Sequence, residues 1–261
     1  MDIRYSVNQK DFKRYTTEET RKEFLIENLY VADEAVAVYS HVDRMVTLGC
    51  MPVLETVAID KGIDVWKNFG THYFLERREI GIFNIGGAGT ITADGQAFHM
   101  GYKDCLYITK GTKEVTFASD DSSKPAKFYM VSAPAHKECR TTFIPIEKAA
   151  KKPLGAMETS NKRVINQFIH PDVLETCQLS MGMTVLDPGS VWNTIAMSLS
   201  FGSTSLTSFP SIYSSPEEIS SRPATIRKVV DLPQPDGPTK IINSLSAISR
   251  LKSLTATYPF G

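Results

Sequence analysis

From Tyr73 to Ala133 the chain is a run of short β-type segments separated by glycine-containing turns, and that rhythm leaves little choice of fold class. The clearest unit is Thr90-Ile-Thr-Ala, then Asp94-Gly95, then the returning Gln96-Ala-Phe-His-Met. Asp-Gly accepts the positive φ that a two-residue hairpin turn requires, and β-branched and aromatic residues flank it. Ahead of this hairpin, Tyr73 to Ile85 reads as strand and Gly86-Gly-Ala-Gly89 as a turn. Beyond it, Asp104 to Thr109, Glu114 to Ser119 and Phe128 to Ala133 read as strands, with turns at Gly101 and Lys110-Gly111. Short strands at this spacing predict an antiparallel barrel or sandwich.

The flanks are less regular. Residues 17–29 predict a short helix, with Thr17 as its cap and Glu18 and Glu19 in the first turn. Residues 35–47 carry β-branched and aromatic side chains in partial alternation. Residues 137–170 read as connection, Lys-rich and interrupted by Pro145 and Pro153. A second β run starts near Val164 and continues from Leu174 to Val185, followed by a turn at Asp187-Pro-Gly-Ser190. At Thr194 the texture breaks: residues 195–261 hold 14 Ser and 7 Pro and no His, Cys or Trp. Apart from an amphipathic stripe from Ile241 to Leu254, this stretch predicts irregular chain. The expected organisation is a first β domain over 1–150, the start of a second over 151–194, and a Ser/Pro-rich tail over 195–261.

Charge excludes some function classes. Lys+Arg and Asp+Glu stand at 29 each, so nothing pulls the chain toward nucleic acid or anionic membrane. No apolar run approaches the ~20 residues that span a bilayer, and the N-terminus lacks the apolar core of a secretory signal. Cys50, Cys105, Cys139 and Cys177 show no C-x-x-C spacing, which predicts reduced thiols in a cytoplasmic protein. The Gly86–Gly89 turn lacks the Gly-Lys-Ser/Thr ending of a phosphate loop and a following helix. His41, His72, His99, His136 and His170 are isolated from one another. Arg77-Arg78-Glu79 alternates charge along a strand and reads as a solvated or interface ladder. Arg77 or Arg78 could take an anionic substrate bidentately, but nothing else in the sequence supports that use.

Two resemblances follow from these residues. Glu79 and Gly86, then Gly101, Tyr107 and Gly111, echo the frame of the two cupin motifs, so residues 71–118 resemble a cupin barrel without its His ligands. More specifically, several runs together resemble the 5-keto-4-deoxyuronate isomerase family, the 4-deoxy-L-threo-5-hexosulose-uronate ketol-isomerases of bacterial pectin breakdown. They are Tyr73-Phe-Leu-Glu-Arg-Arg-Glu, Asn84-Ile-Gly-Gly-Ala-Gly-Thr-Ile-Thr, Lys113-Glu-Val-Thr-Phe-Ala-Ser, Pro125-Ala-Lys-Phe-Tyr, Ala133-Pro-Ala-His, Thr159-Ser-Asn-Lys-Arg and Asp172-Val-Leu-Glu-Thr-Cys-Gln-Leu-Ser-Met-Gly. The resemblance covers residues 1 to about 194.

It implies a mainly all-β, tandem cupin-type fold and a cytoplasmic homo-oligomer, a hexamer in the family. It also implies a small-molecule keto sugar acid as substrate and a zinc in the second barrel. The implied reaction converts 5-dehydro-4-deoxy-D-glucuronate to 3-deoxy-D-glycero-2,5-hexodiulosonate. In the family a His-x-His pair follows Trp-Asn-Thr closely, joined by a Glu and a later His. Here Trp192-Asn193-Thr194 leads to Ser198 and Ser200 at the expected His positions, and no His follows His170. A serine hydroxyl is a poor zinc ligand beside imidazole, so the expectation is a truncated second barrel that does not bind the metal, with no metal ligands. Gln178 and Ser180, expected on one face of a strand, and Trp192 and Asn193, just ahead of the lost ligands, are the candidate substrate-binding residues. The catalytic base is not identified by the sequence.

Overall fold

The computed structural model describes residues 1–191. Among them the fold is almost entirely β. The strands are β1 Asp2–Arg4, β2 Ala35–Ser40, β3 Met45–Cys50, β4 Val57–Ala58, β5 Arg78–Asn84, β6 Gly89–Ala93 and β7 Gln96–Met100, followed by β8 Cys105–Ile108, β9 Val115–Ser119, β10 Phe128–Pro134, β11 Thr142–Ile144, β12 Ala150–Leu154, β13 Arg163–Ile169 and β14 Met181–Leu186. Three short helices, α1 Gln9–Phe12, α2 Thr17–Phe24 and α3 Val65–Phe69, lie between the early strands. None of the described helices is long and apolar enough to cross a membrane.

Three sheets result, with strand orders β1-β2-β3-β10-β5-β8-β11, β4-β9-β6-β7 and β12-β13-β14. The first two face each other over one core. Ile91, Met100 and Phe117 from the four-stranded sheet meet Leu48, Ile80, Ile82, Leu106 and Met130 from the seven-stranded sheet, all fully buried. This is the sandwich, mainly antiparallel, that the strand spacing predicts. The β6–β7 hairpin turns at Asp94 and Gly95, with φ of 44° and 81°. The Asp94 carboxylate then accepts from the amides of Lys113, at 2.9 Å, and Glu114, at 2.8 Å, tying the hairpin to the start of β9.

Strand β5 has two working faces because its side chains alternate. Ile80 and Ile82 enter the sandwich core, while Gly81 and Phe83 face the other way, toward the third sheet. A second cluster forms there from Phe83, Tyr107, Val131, Phe168, Ile169, Leu179, Met181 and Met183. The approach depends on Gly81: a Cβ at that position would run into Met181 Sδ and Ile169 Cδ1.

Several expectations are corrected. The cap of α2 is Thr16, not Thr17, and Glu19 closes a capping box back onto Thr16; the helix ends at Phe24, where Leu25 turns extended. Residues 73–77 are turn, and β5 starts at Arg78. The stretch read as connection contains β11 and β12. Strand β12 is an edge, which is where Pro153 can sit without breaking a ladder. The run from Leu174 narrows to β14, beginning at Met181. Of the charged ladder, Arg77 is exposed while Arg78 and Glu79 are 6% and 0% exposed, so the interface alternative holds for Glu79 and solvation only for Arg77. The stripe at Ile241–Leu254 lies outside the described residues.

Gly81→Val is expected to push the third sheet off β5 and destabilise the chain by about 1–3 kcal/mol, the usual range for overpacking. A lower urea midpoint at unchanged slope would show it.

Candidate functional site

The chemistry closest to the junction of the sheets centres on Glu79. Its carboxylate takes four hydrogen bonds. Oε2 accepts from Tyr107 Oη at 2.6 Å and from the Cys177 amide at 2.8 Å. Oε1 accepts from the Gln178 amide at 2.7 Å and the Leu179 amide at 2.6 Å. Three successive backbone N–H groups thus wrap one buried carboxylate, an anion nest built from the loop ahead of β14. A carboxylate is an acceptor with room for about four such donors, so the group is fully satisfied. Burial and the adjacent carboxylate push the Tyr107 phenol well up, which keeps it a donor. Glu79 therefore faces outward from the first sandwich, not into its interior, and joins the third sheet to β5.

Arg78, the neighbouring residue, points to the opposite side. Its Nε donates to Ser132 Oγ at 3.0 Å, and Nη2 donates to the carbonyls of Arg44, at 2.7 Å, and Ser132, at 2.9 Å. The Phe69 ring lies 5.4 Å from the guanidinium carbon. Burial pushes this guanidinium down to about 10.

The histidines occupy separate places. His136 Nδ1 lies 3.0 Å from Cys177 Sγ, and its amide donates to the same sulfur at 3.2 Å. His99 pairs with Asp120, His72 with Glu76 and His170 with Asp172, while His41 stacks on Tyr5. Among the described residues no three His, Cys, Asp or Glu side chains converge as a metal site would require. Beyond residue 191 the sequence contributes neither His nor Cys. The His-x-His positions implied by the resemblance hold Ser198 and Ser200, and a serine hydroxyl is a poor zinc ligand beside imidazole.

The third sheet offers a different surface. Its register pairs Gln167 with Gly182 and Ile165 with Thr184, so Arg163, Ile165, Gln167, Gly182 and Thr184 share one face. Met181 and Met183 leave from the other face into the second apolar cluster. Arg163 donates from Nη1 to the Asn161 carbonyl at 2.8 Å, and burial lowers its pKa. Gln167 Oε1 and Thr184 Oγ1 are buried and find no hydrogen-bond partner among the described residues.

Of the sequence candidates, Gln178 and Ser180 fall in the loop ahead of β14 and not on a strand. Gln178 Nε2 donates to the Pro134 carbonyl and Ser180 Oγ to the Ile169 carbonyl, at 3.0 Å for the latter. The structure brings their loop beside Glu79, which sequence reading placed in a solvated or interface ladder. Trp192, Asn193, Ser198 and Ser200 lie outside the described residues. Gln167 and Thr184 were missed because each is a lone polar residue in an apolar strand, and only register puts them side by side.

A mainly β sandwich with a third sheet docked through a buried carboxylate defines the class of protein. The chain belongs to the KduI/IolB family, whose sequence pattern matches residues 31–196. It is 53% identical over 195 residues to a 4-deoxy-L-threo-5-hexosulose-uronate ketol-isomerase of Enterobacter sp. (strain 638), covering 75% of this chain and 69% of that protein. A protein of the same name from Escherichia coli O45:K1 (strain S88 / ExPEC) is 52% identical with the same coverage. Among solved structures, an IolB-like protein from Salmonella typhimurium LT2 aligns with a TM-score of 0.38 at 13% identity, over 51% of this chain and 47% of that one. A cupin protein from Bacteroides fragilis aligns with a TM-score of 0.26 at 18% identity, over 36% of this chain and 68% of that one.

Glu79→Gln would set an amide nitrogen against backbone donors. It is expected to cost about 3 kcal/mol, in the range for a charge-assisted buried network. Limited proteolysis of this variant should cut beyond about residue 150 while the first sandwich survives.

Proposed function

We propose that the chain is built on the scaffold of a ketol-isomerase for the keto sugar acid 5-dehydro-4-deoxy-D-glucuronate, with its turnover impaired. The single observation behind the substrate class is the 53% identity to a named uronate ketol-isomerase across 195 residues. In this reading the three-stranded sheet is the opening of a second barrel, residues 1–150 form the first, and residues 195–261 are a tail without counterpart in the family. Residence in the cytoplasm and assembly as a homo-oligomer, the hexamer implied by the family, belong to the same proposal. The four reduced cysteines are consistent with a reducing compartment.

Shifting a carbonyl between adjacent carbons passes through an enediol, and a base must carry one proton between those carbons. The family's zinc would hold the developing oxygen charge. The donors for it are missing from this sequence, so the described residues supply binding and orientation only. Gln178, Ser180, Trp192 and Asn193 stand in this reading as substrate contacts.

The second reading is a scaffold with no turnover, and the observation favouring it is the absence of any His after His170. Zinc by elemental analysis and an isomerase assay on the purified full chain separate the two. Impairment predicts zinc far below one per chain and turnover reduced about a thousandfold against the Enterobacter relative, since metal polarisation supplies several kcal/mol and each 1.36 kcal/mol is tenfold. Stoichiometric zinc with full turnover would overturn it. Complete inactivity would favour the bare scaffold.

A further inference from the structure

We propose that Cys177 is a peroxide-reactive thiol, activated by His136 and modified at its sulfur by a small hydroperoxide.

The fold assembles this pair across 41 positions of sequence: His136 follows β10, and Cys177 lies in the loop ahead of β14. Three groups converge on the sulfur. His136 Nδ1 stands 3.0 Å from Cys177 Sγ, close enough to take the thiol proton directly. The His136 amide donates to the same sulfur at 3.2 Å. Lys137, paired with Glu175 at 2.5 Å, lies within electrostatic reach of both Cys139 and Cys177. The thiolate is the nucleophilic form of cysteine, and a neighbouring base with fixed donors and a cation favours it. Cys177 is also held from behind. Its own amide is engaged with Glu79 Oε2 at 2.8 Å, which keeps the sulfur on His136.

The other three thiols lack this setting. Cys50 and Cys105 are 0% exposed, and burial pushes both thiols up, that of Cys50 to about 12. Cys139 is half-buried, and its sulfur neighbours the Tyr107 phenol, which is held protonated and cannot take its proton. Cys177 is itself 8% exposed, but His136, Lys137, Glu175 and Gln178 around it are exposed. The sulfur thus lies directly beneath a rim of solvent-facing side chains. Such a cover admits a reagent of two heavy atoms and turns away a bulky one.

The reaction balances without any further group. Nδ1 takes the thiol proton, and the sulfur attacks one oxygen of the hydroperoxide. An S–O bond forms as the O–O bond breaks, and the departing oxygen leaves with the proton from the imidazole, as water when the oxidant is hydrogen peroxide. Sulfur is oxidised by two electrons to the sulfenic acid and the peroxide is reduced.

The test treats the reduced full chain with hydrogen peroxide in the presence of dimedone, which caps a sulfenic acid, and maps the adducts by peptide mass spectrometry. The adduct at Cys177 is expected to form about tenfold or more faster than at Cys50, Cys105 or Cys139. This comparison is internal to one unmutated chain, so it does not depend on any variant folding. His136→Asn, a change at an exposed position, should slow the Cys177 adduct about tenfold with the melting temperature unchanged. Cys139→Ser should leave the Cys177 rate as it was. Equal labelling of the four cysteines, an adduct that forms first at Cys139, or a Cys177 rate indifferent to His136→Asn would each overturn the proposal.

Discussion

The arrangement of the third sheet hangs on one buried carboxylate. Glu79 belongs to β5, near the centre of the seven-stranded sheet, and the amides that grip it belong to residues almost a hundred positions later in the chain. A carboxylate is tolerated in such a place only when its acceptor sites are filled, because an unpaired buried charge is prohibitively expensive. The loop from Cys177 to Leu179 fills them, and in doing so it settles where β14 begins and how β13 and β14 lie against β5. Tyr107, held protonated by its surroundings, completes the set from β8.

The packing around this clamp follows from side-chain alternation on β5. One set of residues seals the sandwich core; the other presents Glu79, Gly81 and Phe83 to the third sheet. Gly81 removes the bulk that would hold the sheets apart, and Phe83 stacks edge-on against Phe168 with ring centroids 4.9 Å apart. Polar specificity and apolar area are therefore delivered by the same strand. The face of the third sheet left over from this docking carries the polar residues whose oxygens find no partner among the described residues.

Much of the fold was legible in the residues. Asp94-Gly95 announces its hairpin because few other dipeptides accept those dihedral angles, and β6 and β7 close as expected. The short strands through Ala133 read correctly because local alternation and turn chemistry agree. Strands β11 and β12 did not, since Lys151, Lys152 and Pro153 carry no strand signal of their own; a place at a sheet edge, where those residues do no harm, is not visible in the local sequence. Arg78-Glu79 stayed ambiguous for a related reason. Two charges in a row left solvent and interface both open, and only the amides of a distant loop and the oxygens of Ser132 and Arg44 make their burial tolerable.

By itself the sequence determined the family, the β class, the hairpins and the absence of any His after His170, because each of these is written in nearby residues or in simple presence and absence. Tertiary structure decided that Glu79 is a clamp and not a surface charge, that Gln178 and Ser180 lie in the loop beside it, and that Gln167 and Thr184 stand together on one face. Those facts depend on strand register and on contacts between residues far apart in the chain, and a register shift of one residue would reverse every face in the third sheet.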